Sequence, residues 1–438
     1  MLNDRVWWKA DGLLSGPHSE KPAIECACRG CSLLETICFQ HFSRRRGLFW
    51  KMQHSTAMHK LITRDRRKII AFLFLGETLL IPHLHPIVEA IAQEAPDVRV
   101  DIWTATSTHE RLIEGWLSEL NINSPNVRIR RVPGFRMLPD LPLGNVPELP
   151  PKSLTLLRLM PRLIAASAVV CAEQTSLWIP TLLPFFRDRF VKTSHGVGSM
   201  SARDDRRRRA ACLLLVPSEA VKQTYTARGI PEDKLIVTGY VKSAFRARES
   251  GGPVFASSKP VVVYAPHWQQ HRSSWWSWGR ELVALLAAQD RYNVILAPHQ
   301  RLVEKDPDVR EVLASVGDLP HVHVDLDSFA MVDGSYMAAA DIYLGDTSSQ
   351  VMEFLLRPRP CVFLNPDNID WRATDDHDFW TQGQVVAGFG DILPALDRAF
   401  TLQPSFELGQ RRYIAETVGE TGPATALRAA QAVLALAA

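Results

Sequence analysis

The chain has 438 residues, more than one hydrophobic core usually covers, so two domains are expected. With 46% hydrophobic and 22% charged residues it reads as globular, which excludes fibrous and disordered classes. A net charge of +3 at pH 7 is too small to imply a nucleic-acid partner, and no uninterrupted apolar run reaches the roughly 18 residues that a membrane span needs.

Residues 1–66 lack clear periodicity and hold Cys26, Cys28, Cys31 and Cys38, followed by His41. The CxCxxC spacing raises zinc, but the paired knuckles with a long separation between them are missing. A poorly ordered N-terminal extension is expected here, with Met52 or Met58 as an alternative start. Asp4, Arg5, Lys9 and Asp11 interrupt any signal-peptide core, so the expected location is the cytoplasm. Basic clusters at Arg44–Arg46, Arg64–Lys68, Arg203 and Arg206–Arg209 read as solvated faces, or as contact with an anionic polymer or, peripherally, with anionic lipid at the inner membrane.

From residue 67 to 243 a regular alternation begins. Apolar strands are expected at Ile69–Leu75, Val100–Trp103, Val127–Val132, Ala168–Ala172, Phe190–Thr193 and Leu213–Val216, mostly with helices between them, the first near Ile87–Ala92. Continuous apolar strands alternating with helices indicate a parallel sheet covered on both faces. The proline-rich run Gly134–Pro151 is expected to be a long loop. Cys171, Cys212 and Cys361 fall in apolar runs, as free thiols packed like small hydrophobes do.

Residues 244–260 turn to Arg, Ser, Gly and Pro and read as a linker. Residues 261–438 repeat the alternation: strands at Val261–Tyr264, Asn293–Ala297, Val322–Val324, Ile342–Leu344 and Cys361–Leu364, helices near Glu281–Ala288, Leu302–Ser315 and Val351–Leu356, and a closing helix Ala424–Ala437. The expected fold class is therefore α/β, two doubly wound Rossmann-like domains with a ligand cleft between the carboxyl ends of their sheets.

The candidate site residues sit at strand ends. His195 ends one strand of the first half and is a candidate general base, with Gly196 and Gly198 allowing close approach. In the second half, His267 and His299 each follow a proline at a strand end and are candidate donors to phosphate oxygens. The turn Asp346-Thr347-Ser348-Ser349 opens a helix whose unpaired N–H groups suit a phosphate, and Glu353, one turn on, is a candidate for a ribose hydroxyl. Trp268, Trp275, Trp276 and Trp278 are packing residues or a stacking platform. No GxxxxGK[ST], GxGxxG or HExxH occurs, so neither a P-loop, a dinucleotide fingerprint nor a metal ligand pair is expected, and no cofactor.

The order His195-Gly196, LLLVPSE to VTGY (Leu213–Tyr240), VVYAPHW (Val262–Trp268), APH (Ala297–His299) and ADIYLGDTSS (Ala340–Ser349) resembles the CDP-glycerol glycerophosphotransferase family. Members of that family look like GT-B enzymes that build teichoic-acid and related surface polymers. The resemblance covers Val191–Ala437. It implies a metal-independent transferase that moves glycerol phosphate, or a sugar, from a CDP- or other nucleotide-diphosphate donor to a lipid-linked or polymeric glycan acceptor. It also implies His195 as base and His299, Asp346, Ser348 and Ser349 on the donor's phosphates. Two departures stand out: Val197, Gly198, Ser199 and Met200 replace the family's Thr-Pro and lysine, and Thr347 replaces a tyrosine. A UDP-sugar 2-epimerase and a non-catalytic nucleotide-sugar-binding protein of capsule assembly are the alternatives.

Overall fold

Seven parallel strands build the first sheet, in the order β3-β2-β1-β4-β5-β6-β7. They are β1 (Ile69–Phe74), β2 (Arg99–Thr106), β3 (Val127–Arg136), β4 (Ala168–Cys171), β5 (Phe190–Thr193), β6 (Leu213–Val216) and β7 (Leu235–Val237). The second sheet has six, in the order β10-β9-β8-β11-β12-β13. These are β8 (Val261–Tyr264), β9 (Asn293–Leu296), β10 (Val322–Val324), β11 (Ile342–Gly345), β12 (Cys361–Leu364) and β13 (Gln384–Val386). All pairings are parallel. The computed structural model describes residues 68–438 apart from 123, 140–147, 195, 198–205, 246–252, 254 and 374. The extension with its four cysteines and His41, and the candidate base His195, lie outside the described residues.

Both sheets reverse their strand order once, between β1 and β4 and between β8 and β11. The reversal opens a crevice beyond the carboxyl ends of the strands, where doubly wound sheets bind ligands. The strands read as apolar runs because both faces are covered: every residue of β4, β5, β9, β11 and β12 is buried. Cys171, Cys212 and Cys361 are free thiols, and burial pushes Cys171 up to about 12, so it packs as a small hydrophobe.

The two halves share an apolar seam. Trp116 of the first half packs against Phe245 at the end of that half and against Phe329 of the second, with ring centroids 5.0 and 4.8 Å apart. The final helix, Pro423–Ala437, is the one the sequence assigns to the second half, yet it packs on the first, against the helix His85–Glu94 and the turn Val241–Ala244. Gly239 makes that return feasible. Its φ is +85°, and a Cβ there would lie 2.6 Å from Thr425 and 2.7 Å from the Glu420 carbonyl. The neighbouring Tyr240 N–H donates to that carbonyl at 2.8 Å, and Arg428 donates to the Thr238 carbonyl at 3.1 Å. The VTGY motif is therefore the seat of the returning chain.

Three elements depart from the sequence expectation. The helix expected over Leu302–Ser315 is two, Gln300–Lys305 and Asp308–Ala314, broken where Pro307 removes a backbone donor. The helix after the DTSS turn is only five residues long, Gln350–Phe354. β3 runs on to Arg136, so the segment expected to be loop begins as strand.

Candidate functional site

The crevice of the second sheet is built by its strand ends. β8 delivers His267, β9 delivers His299, and β11 delivers the Asp346–Ser349 turn. Asp346 ties these together rather than facing outward. Its Oδ1 accepts the His267 N–H at 3.0 Å, and its Oδ2 accepts the Ser274 N–H at 2.7 Å and the Ser274 hydroxyl at 2.9 Å. Burial pushes the carboxyl up to about 7, against the pull of those donors. The carboxylate fixes the loop after β8 to the turn after β11.

His267 and His299 are neutral donors. The His267 Nδ1 accepts the Gln269 N–H at 3.1 Å, and the His299 Nδ1 accepts the Arg301 N–H at 3.1 Å, capping the helix Gln300–Lys305. Burial pushes both rings down to about 3, and for His267 the positive charges of Arg272 and Arg301 add to it. A neutral ring whose Nδ1 accepts must carry its proton on Nε2, so each presents one N–H donor. The rings lie edge to face with centroids 5.7 Å apart. Trp268 stacks on His267, and the Arg301 guanidinium lies 4.0 Å over the Trp268 ring, so the pair is held from behind by a packed stack.

His267 and His299 line a cavity of about 100 Å³ between the halves, together with Gly196, Tyr240, Lys242, Gln300, Ser348, Ser349, Gln350 and Glu353. Of the expected site residues, His267, His299, Ser348, Ser349, Glu353 and Gly196 reach this surface. Asp346 and Thr347 stand behind it: the Thr347 N–H donates to the Arg272 carbonyl at 3.3 Å, and its buried hydroxyl has no partner. The Ser348 hydroxyl accepts the Gln350 N–H at 3.3 Å, while Ser349 is exposed.

Glu353 is held by the opposite half. Its Oε1 accepts Lys242 Nζ at 2.6 Å and the Tyr240 hydroxyl at 3.1 Å, so the carboxylate expected on a ribose is here an ion pair across the seam. A second cross-half pair, Arg301 to Glu77 at 3.5 Å, lies at the end of β1. Burial holds Glu77 above the usual carboxylate range in spite of Arg301 and Lys152.

Sequence reasoning missed Gln300 and Lys242. Gln300 is buried, lines the cavity, and leaves both amide atoms without a hydrogen-bond partner. Its signal was its place directly after the strand-end APH. Lys242 was signalled only by lying two residues past the VTGY tyrosine. Among the described residues no group of three or more His, Cys, Asp or Glu side chains is placed to hold a metal ion.

Chemically, the cavity offers uncharged N–H donors, serine hydroxyls and an unpaired amide, with guanidinium charge close behind. That set suits a multiply charged oxyanion held by hydrogen bonds. No family model and no curated protein matches the chain. Solved structures do. The UDP-N-acetylglucosamine 2-epimerase from Neisseria meningitidis bound to UDP-GlcNAc superimposes with a TM-score of 0.54 at 14% identity, over 84% of this chain and 99% of that one. The wall teichoic acid polymerase TagF gives 0.54 at 13% identity, over 85% and 89%. The S. aureus MnaA–UDP structure gives 0.50 at 14% identity, over 84% and 95%.

The chain has the GT-B fold. Two Rossmann-like sheets facing one cleft are shared with all three neighbours. At these identities the likeness concerns the fold alone.

Proposed function

We propose that this protein is an enzyme acting on a nucleotide-diphosphate-activated donor, and that it transfers glycerol phosphate or a sugar from a CDP- or related donor to a cell-surface glycan or polymer precursor. The observation that carries this reading is the pair of neutral N–H donors, His267 beside the reversal point of the second sheet and His299 at the end of the next strand, sharing a cavity with the partnerless Gln300 amide. A diphosphate needs donors that cost no proton rearrangement as charge builds on the leaving group, and neutral imidazoles fixed through Nδ1 supply them.

In this reading Ser348 and Ser349 add hydroxyl contacts to the same phosphates. His195 takes the proton from the acceptor hydroxyl as it attacks, and Gly196, which lines the cavity, lets the acceptor come close to the backbone. Expulsion of water between the halves favours transfer over hydrolysis. Melting curves of the purified protein with CDP-glycerol, CDP, UDP and UDP-GlcNAc test the donor assignment. A rise with at least one activated donor, lost in His299→Ala, supports it; no rise with any of them counts against it. Unchanged turnover in His195→Ala would remove the base assignment and leave the binding reading standing.

One observation favours a second reading, a UDP-sugar 2-epimerase. Glu77 and Glu173 end the adjacent strands β1 and β4 of the first sheet, both close to Lys152, and each interacts electrostatically with the other. Carboxylates at a strand-end crevice are what inversion at a sugar carbon requires of its acid and base. Conversion of UDP-GlcNAc to its 2-epimer with no acceptor present, abolished in Glu173→Gln, would establish it in place of transfer.

A further inference from the structure

Ten large apolar side chains are exposed among the described residues, and six of them lie on one side of the first half: Leu154, Leu157, Ile164, Trp178, Leu182 and Phe185. They come from the helix Lys152–Leu163 and Ile164 that caps it, the short helix Trp178–Leu182 and the turn Pro184–Arg189. The exposures are large, 61% for Leu157, 68% for Leu182 and 62% for Phe185.

The inner sides of the same elements explain the arrangement. Leu156, Leu159, Leu163, Ile179 and Phe186 are buried in one cluster on a face of the first sheet, so the outward residues are the surplus of helices apolar on both sides. The elements form one surface. Arg189 donates to the Ala166 carbonyl just past the first helix at 3.2 Å, and Arg187 donates to the Pro180 carbonyl at 3.2 Å. The arginine-rich turn Arg206–Ala210 joins them, with the Arg207 guanidinium 5.5 Å from the Trp178 ring.

Charge decides what such a surface would meet. These four segments carry nine arginines and lysines against one carboxylate, Asp188; Lys152 is paired to Glu173 and Arg208 is buried against Tyr225, which leaves seven arginines in a chain whose net charge is only +3. On the long helix, Leu154, Leu157 and Pro161 follow one stripe, and Arg158 and Arg162 run along its edge. A protein partner of mixed charge would not balance this excess of positive charge. Apolar and aromatic side chains bordered by arginine match a bilayer with anionic headgroups, into which the former insert while the latter stay at headgroup level.

We propose that this face of the first half docks on an anionic lipid bilayer. The proposal rests on this surface alone and is independent of the donor cavity.

Flotation of the full chain with vesicles of phosphatidylcholine alone, and of phosphatidylcholine with phosphatidylglycerol, tests it. Binding is expected only to the phosphatidylglycerol vesicles and should weaken as salt rises. Leu157→Gln with Phe185→Ser should abolish binding. Arg158→Gln with Arg162→Gln should weaken it by about fivefold for each arginine removed. All four positions are exposed, so melting temperature and any donor-induced rise in it should stay at wild-type values. Absence of binding by the folded wild type would overturn the proposal. So would equal binding to both vesicle types, or a self-associated species in solution that the Leu157 and Phe185 changes dissociate while vesicle binding is absent.

Discussion

The crevices at the two strand reversals have the same topology and opposite chemistry. In the second sheet the strand ends carry His267, His299 and the Ser348–Ser349 turn; Asp346 is turned inward and satisfied by backbone and serine donors, and Glu353 is paired to Lys242. In the first sheet the corresponding ends of β1 and β4 carry Glu77 and Glu173, with Lys152 paired to the latter at 2.9 Å. One crevice presents N–H and hydroxyl donors, and the other presents two carboxylates with Lys152 and Arg301 beside them. The shared fold therefore does not distinguish the two crevices, and their strand-end residues do.

The largest expected effect breaks the brace of the donating crevice. Asp346→Ala strands two backbone N–H groups and a buried hydroxyl, and should cost about 4 kcal/mol in urea unfolding; Asp346→Asn, which retains one acceptor, should cost roughly half as much. Glu173→Gln, by contrast, should cost about 1 kcal/mol, because the amide oxygen can keep Lys152 as its donor while the amide NH2 turns to the Ser176 hydroxyl, which can accept.

Acid sharpens the comparison next. His267 and His299 are held down to about 3 and the buried His109 to about 4, so the unfolded chain binds three more protons than the native one at these sites between pH 4 and 6.5. Their contribution is fully present above pH 6.5 and is lost as pH falls. Asp346, raised to about 7, works the other way: the native state holds its proton, and stability falls as pH rises from 4 to 7. Three against one leaves a net loss on acidification of about 2 kcal/mol per pH unit between pH 6 and 5, readable from urea midpoints.

Smaller effects separate the two ion pairs that cross the seam. Lys242–Glu353 is short and nearly buried, with side chains 10% and 13% exposed, whereas Arg301–Glu77 is longer and 28% and 27% exposed. Glu353→Gln should cost about 2 kcal/mol, since Lys242 loses its counter-charge in a poorly hydrated place. Glu77→Gln should change stability by under about 0.5 kcal/mol, because desolvation already outweighs the attraction of Arg301.

Much of the scaffold was legible in the sequence because parallel strands are apolar runs with abrupt ends. β5, β6, β8, β10 and β12 have the bounds expected of them. β7 and β13, each three residues long and at a sheet edge, were missed, although β10 is as short and also at an edge. The 19-residue helix Ala399–Thr417 was missed because Pro404 and Gly409 interrupt its periodicity. For the site, strand-end position was enough to single out His267, His299, Ser348 and Ser349. It could not reveal where Asp346 and Glu353 point, because their partners Ser274 and Lys242 lie 72 and 111 residues away along the chain. Placing the last helix on the first half required knowing which surface Gly239 leaves open.

The most direct test of the central claim is the affinity for an activated donor, measured by titration calorimetry at pH 6 and pH 8. The diphosphate diester of such a donor carries the same charge throughout that range. If neutral His267 and His299 donate from Nε2, affinity is the same at both pH values, and His299→Ala weakens it by about tenfold, the loss of one good hydrogen bond to a charged group. Affinity that falls tenfold from pH 6 to pH 8, as binding by imidazolium requires, or that is untouched by His299→Ala, would contradict it.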